Sequence, residues 1–152
     1  MNENLDSNLI SPCEKNFKKF LEEKEIMAVF LHQSPSSFPK NMQLNGAKRP
    51  DFCIHTPFGE FYVDIKTSRL KRYPKFTISL LDLSKLDKTM HILEKSIYVA
   101  YPIDPWGIGL DWGFISIKKL NILKKDQDDW IKSGHDFIGI DYIVLKRYNE
   151  LI

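Results

Sequence analysis

The chain of 152 residues is long enough for one sizeable core and too short for separate catalytic and recognition domains, so a single domain over residues 1–152 is expected. Its 43% hydrophobic and 28% charged residues exclude a disordered chain, and its net charge of +2 says little until its distribution is considered. No apolar run approaches membrane-spanning length and no N-terminal signal pattern is present, which sets the expectation of a cytoplasmic protein.

Residues 1–10 are polar and expected to be flexible. Ser11-Pro12-Cys13-Glu14 then reads as a helix start, with serine as N-cap, proline at the first helical position and Glu14 completing a capping box. Cys13, Phe17, Phe20 and Leu21 share one helical face, and Lys18, Lys19, Glu22 and Glu23 lie mostly outside it. Ile26 to His32 is apolar and suited to a first strand. From Gln33 to Arg49 the chain is polar, a long connection of the kind that is usually functional or mobile.

Residues 49–68, RPDFCIHTPFGEFYVDIKTS, organise the rest. Two alternating runs, Asp51 to His55 and Glu60 to Lys66, flank Thr56-Pro57-Phe58-Gly59, whose proline and glycine suit the turn of a β-hairpin. With that loop His55 pairs with Glu60, and the register sets Asp51 opposite Asp64. Asp64 and Lys66 then project from one face, while Phe61, Val63 and Ile65 point to the other. Opposed carboxylates repel, since their Cβ atoms lie only about 5 Å apart. A divalent cation between them turns repulsion into attraction, and carboxylate oxygens suit Mg²⁺ or Mn²⁺. A lysine beside that ion can stabilise a pentacovalent phosphate or help deprotonate an attacking water, so the chemistry implied is phosphodiester hydrolysis. The competing reading is structural: Pro-Asp as a turn dipeptide and Asp-x-Lys as a solvated strand face with a cross-strand ion pair.

Between Lys40 and Lys75 eight basic residues face three acids, an excess centred on the hairpin. Lys48, Arg49, Ser68, Arg69, Lys71 and Arg72 are therefore the candidate contacts to a phosphate backbone, with Tyr73 available for stacking. Leu80, Leu83, Leu86, Met90 and Leu93 form a helical stripe over about 81–95, and Ser96 to Ile103 reads as a buried strand. Asp104 to Asp111 is a glycine-rich apolar loop expected to fold back on its own core. Trp112 to Ile117 reads as a strand, residues 118–125 as a helix, and Phe137 to Lys146 as either. Cys13, Cys53 and the four histidines show no ligand spacing, so a reduced core thiol at Cys53 and no zinc site are expected.

Pro50-Asp51 followed by Asp64-Ile65-Lys66 on the next strand resembles the signature of the PD-(D/E)xK nuclease superfamily, with a spacing similar to that of archaeal Holliday junction resolvases and a small homing endonuclease. The resemblance covers the hairpin closely and the remainder through the order of elements alone. It implies an α/β, restriction-endonuclease-like αβββαβ core with a mixed central sheet flanked by helices. It further implies Asp51 and Asp64 as metal ligands, the Ile65 backbone carbonyl as another, and Lys66 as the catalytic lysine. In resolvase-like members an acid from the first helix reaches the metal, so Glu14 has two readings, fourth ligand or helix cap. The expectation is a Mg²⁺- or Mn²⁺-dependent DNA endonuclease, structure-specific or site-specific, acting as a homodimer or higher homo-oligomer because cutting both strands needs two sites. The alternative is a non-catalytic nucleic-acid-binding or protein-interaction module that retains the nuclease-like fold.

Overall fold

A computed structural model of the protein describes residues 12–31, 46–66, 75–104 and 107–151. The first helix, α1, runs from Pro12 to Glu23 and is followed by strand β1 (Met27–Phe30). The helix buries Phe17, Phe20 and Leu21, one face of its 3.6-residue repeat. It closes where Glu25 adopts φ 56° and the Ile26 N–H reaches back 2.8 Å to the Leu21 carbonyl, which satisfies an orphaned helix-end acceptor. Ser11, the expected cap, lies outside the described residues.

Strands β2 (Phe52–Thr56) and β3 (Gly59–Ile65) form the expected hairpin, in the expected register: His55 pairs with Glu60 and Phe52 with Val63. The Thr56 hydroxyl donates to the Gly59 carbonyl at 2.8 Å and accepts from the Phe58 N–H at 3.1 Å, closing a two-residue loop. Gly59 takes φ 127°, open to glycine and rarely to other residues.

After β3 come strand β4 (Phe76–Ser79), helix α2 (Leu80–Leu93), strands β5 (Ile97–Pro102) and β6 (Trp112–Ser116), helices α3 (Ile117–Asp126) and α4 (Asp128–Lys132), and strand β7 (Phe137–Ile140). The five-stranded sheet has the order β1-β2-β3-β5-β6. Only β3 and β5 run parallel, so the sheet is mixed. Helix α1 covers one face, on Phe52, Ile54, Phe61, Val63, Ile65, Trp112 and Phe114. Helices α2 and α3 cover the other, where Leu83, Leu86 and Leu120 meet Ile97, Val99 and Tyr101.

Two elements depart from the sequence reading. Strand β4 was not expected, although Phe76 and Ile78 are buried in strict alternation with Thr77 and Ser79; its partner is β7, sixty residues away in sequence, in a separate two-stranded sheet. The ambiguous stretch after Phe137 divides into β7 and a 3₁₀ turn, Tyr142–Val144. Of the 104–111 loop, the described residues 107–111 turn back on Asp104, with Ile108 and Leu110 exposed. Asp104 accepts N–H groups from Ile108, Gly109 and Leu110 at 3.0, 2.9 and 3.0 Å, and Trp112 Nε1 donates to the Gly109 carbonyl at 2.9 Å. A Cβ at Gly109 would come within 2.7 Å of the Trp112 ring, so the backbone must approach there bare.

Phe17 is wholly buried, with the rings of Phe20, Phe52, Trp112 and Phe114 at centroid distances of 5.0–6.1 Å. Phe17→Ala is expected to destabilise the protein by about 3–5 kcal/mol through lost burial and an unfilled cavity. Equilibrium urea unfolding checks this as a drop in midpoint at unchanged slope.

Candidate active site

The hairpin sets the site's two carboxyl groups. The register ends at Phe52 paired with Val63, and Asp51, one residue before the strand, donates its N–H to the Val63 carbonyl at 3.0 Å with its carboxyl beside that of Asp64. Asp51 is 7% exposed and Asp64 fully buried. Phe61, Val63 and Ile65 turn to the α1 side of the sheet and Asp64 to the α2 side, as the strand period requires. The Ile65 N–H donates to Asp51 Oδ2 at 2.7 Å, locking that side chain against the neighbouring strand.

Two ammonium groups converge on Asp64. Lys66 Nζ lies 3.2 Å and Lys48 Nζ 3.3 Å from its Oδ2. Asp82, in the first turn of α2, receives the same pair at 2.6 Å from Lys66 and 3.9 Å from Lys48. The start of α2 is held by Ser79, whose hydroxyl accepts the Asp82 N–H at 3.1 Å. Lys48 is positioned from the same helix: its N–H donates to Thr89 Oγ1 at 2.9 Å, and the Thr89 hydroxyl donates to its carbonyl at 2.6 Å.

These contacts set the proton affinities. Burial, then the like charge of Asp64 and more weakly that of Glu14, push Asp51 up to about 8, against the opposing Ile65 N–H bond. For Lys66, burial works downward, but Asp64 and Asp82 outweigh it and hold the ammonium well above its usual range. Asp82 is held below the usual carboxyl range: burial works upward and is outweighed by Lys66, Lys48 and Lys85.

Of the sequence candidates, Asp51, Asp64 and Lys66 come together, with the Ile65 backbone between them. Glu14 is half-buried and near enough for its charge to act on Asp51. Among the described residues, however, the three metal-ligating side chains whose donor atoms close to within 4.8 Å of one another are Cys53, His55 and Glu60, not Glu14, Asp51 and Asp64. Lys48, read as a candidate contact to a phosphate backbone, lies within the carboxylate cluster, 3.3 Å from Asp64. Arg49 is half-buried beside Asp51, and burial lowers its pKa against the pull of that carboxyl. Ser68, Arg69, Lys71, Arg72 and Tyr73 lie outside the described residues.

Asp82 and Thr89 were missed. Ser79-Leu80-Leu81-Asp82 carries a capping signal, serine followed three residues later by an acid, that would have placed Asp82 at a helix start. Nothing local marks Thr89.

The mixed sheet flanked by helices defines an α/β, restriction-endonuclease-like fold. No family model matches the chain, and no curated protein matches it. Among solved structures it is similar to Archaeoglobus fulgidus Hjc, a Holliday junction resolvase from an archaeal hyperthermophile: the TM-score is 0.58, over 91% of this chain and 96% of that one, at 12% sequence identity. At that identity the likeness is one of fold. Among the described residues no helix is long and apolar enough to cross a membrane.

Proposed function

We propose that this chain is a single-domain, metal-dependent DNA endonuclease with Asp51, Asp64 and Lys66 as its catalytic set. The observation that carries the reading is the buried pair of opposed carboxyl groups, Asp51 and Asp64, with an ammonium 3.2 Å from the second. Asp64 Oδ1 is buried and has no hydrogen-bond partner among the described residues, while Oδ2 takes both lysines. An orphaned buried acceptor is costly, and a cation would satisfy it. The donors present therefore fit Mg²⁺ or Mn²⁺, which bind through one or two carboxylates and keep several waters. Asp51 and Asp64 would hold the ion, with the Ile65 carbonyl and Glu14 as further ligands; when bound it supplies a polarised phosphoryl oxygen and an activated water.

The remaining work falls to the chain's own groups. Lys66 places a permanent positive charge where negative charge gathers on the phosphate in the transition state. Asp82 orients that ammonium and keeps it protonated. Arg49, Ser68, Arg69, Lys71 and Arg72 supply candidate contacts to the DNA backbone, and a homodimer would bring the second active site that cutting both strands requires. The resolvase likeness makes a four-way junction the leading substrate, with a specific duplex site as the alternative within the class.

A second reading rests on the ion pairs themselves. Lys48 and Lys66 already neutralise Asp64 and Asp82, as a non-catalytic module retaining a nuclease-like fold would need. One experiment separates the two: incubation with Mg²⁺ or Mn²⁺ of four-way junctions and of linear duplexes matched in sequence. The expected result is metal-dependent cleavage, greater on the junction, and abolished by Asp64→Asn. DNA binding without cleavage of either substrate would establish the non-catalytic module.

A further inference from the structure

The face of the hairpin that carries Asp51 and Asp64 continues toward the turn with three more chemistry-bearing side chains. Cys53 and His55 alternate onto it from β2, and Glu60 joins them from β3 as the direct partner of His55. His55 Nδ1 lies 3.2 Å from Glu60 Oε1, and the Cys53 thiol donates to Glu60 Oε2 at 3.7 Å. One donor atom from each of the three falls within 4.8 Å of the others. The thiol is free, and Cys53 is 7% exposed. The His55 and Glu60 side chains are 33% and 43% exposed, so an ion and a water can enter from solvent.

We propose that Cys53, His55 and Glu60 form a Zn²⁺ site, separate from the Asp51 and Asp64 pair, with water as the fourth ligand. Tetrahedral zinc with ordinary bond lengths sets nitrogen and oxygen ligands about 3.3 Å apart and sulfur and oxygen about 3.6 Å apart. The observed 3.2 Å runs to Glu60 Oε1 and the 3.7 Å to Oε2, so a turn of that solvent-facing carboxylate brings one oxygen onto both edges. A thiolate, a carboxylate and a neutral imidazole also balance a divalent charge. The donor set selects the metal: Mg²⁺ takes oxygen ligands, whereas mixed sulfur, nitrogen and oxygen suit Zn²⁺. On binding, the Cys53 thiol releases its proton to solvent as the sulfur–zinc bond forms, with no change of oxidation state. The ion would tie β2 to β3 beside the turn and so brace the hairpin that holds Asp51 opposite Asp64.

Sequence spacing did not show this site, because Cys53-x-His55 offers only two ligands and the third arrives across the strand pair. Co²⁺ titration of chelator-treated protein tests it, since oxygen-only sites give no thiolate-to-cobalt charge-transfer absorption. One equivalent of Co²⁺ is expected to produce that band together with the visible bands of four-coordinate cobalt, and Zn²⁺ is expected to bleach both. Cys53→Ser should remove the charge-transfer band. Glu60→Gln, at a solvent-facing carboxylate, should lower Zn²⁺ affinity by at least about 100-fold in competition with a chromophoric chelator, beyond the 10–100-fold loss typical of outer-shell partners. Asp64→Asn should leave the band and the Zn²⁺ affinity unchanged, whether or not the protein cleaves DNA. The proposal is overturned by absence of the band, by a band that survives Cys53→Ser and so belongs to Cys13, or by Zn²⁺ affinity unaltered in Glu60→Gln. The last result would leave His55 and Glu60 as an ordinary cross-strand polar pair.

Discussion

Lys66→Met is expected to lower single-turnover DNA cleavage by about 10²–10³-fold, the usual cost of removing one preorganised group from a transition-state charge. DNA affinity should weaken far less. The prediction follows from the company Lys66 keeps. Its ammonium lies 3.2 Å from Asp64 and 2.6 Å from Asp82, and these acids overcome burial to hold its pKa well above normal. Two acids at hydrogen-bond distance favour the protonated form, so of the two roles open to Lys66 from sequence, charge stabilisation is the better supported. Lys66→Arg keeps the charge and should therefore retain more activity than Lys66→Met, although the guanidinium fork will not reproduce the ammonium's position. Lys48 still pairs with Asp64 in either variant, so the stability loss should fall below the roughly 3–5 kcal/mol expected when a buried charge is fully orphaned. If Lys66→Met cleaves at the wild-type rate while Asp64→Asn is inactive, Lys66 is a structural partner of Asp82 and no more.

Asp51→Asn is expected to stabilise the metal-free protein at pH 8 by up to about 5 kcal/mol and to leave stability near pH 4 almost unchanged. Asp51 has a pKa raised from 3.8 to about 8 in the folded protein, by burial first and then by Asp64. Between those values the folded state holds a proton that the unfolded chain has released. Stability must therefore fall as pH rises through that window, and the asparagine variant lacks the slope. The variant keeps an oxygen to accept the Ile65 N–H, so the hairpin register is preserved. For a chain of this size the gain corresponds to up to about 10–20 °C in Tm at pH 8, measurable by scanning calorimetry with a chelator present. Mn²⁺ should stabilise the wild-type protein, and Asp51→Asn should abolish that effect, because an ion that binds only the folded state adds its binding free energy to stability. A wild-type protein whose chelated stability is flat from pH 4 to pH 8 would remove the electrostatic basis for placing a cation there.

What the sequence determined by itself was local. The period-two pattern of residues 51–66 and the Thr56-to-Gly59 turn set the hairpin register, which pairs Phe52 with Val63 and His55 with Glu60 and turns Phe61, Val63 and Ile65 to the face away from Asp64. The spacing of Phe17, Phe20 and Leu21 likewise set the buried face of α1. These were legible because neighbours along a strand or helix are placed by backbone geometry, whatever the rest of the chain does. The tertiary structure decided which distant residues complete the site. Asp82 meets Lys66 because α2 begins at the end of β4, and β4 is itself placed by β7, a pairing no local pattern shows. Lys48 reaches Asp64 rather than solvent because buried Thr89 holds its backbone. Such contacts depend on packing between elements far apart in sequence, and periodicity carries no record of them.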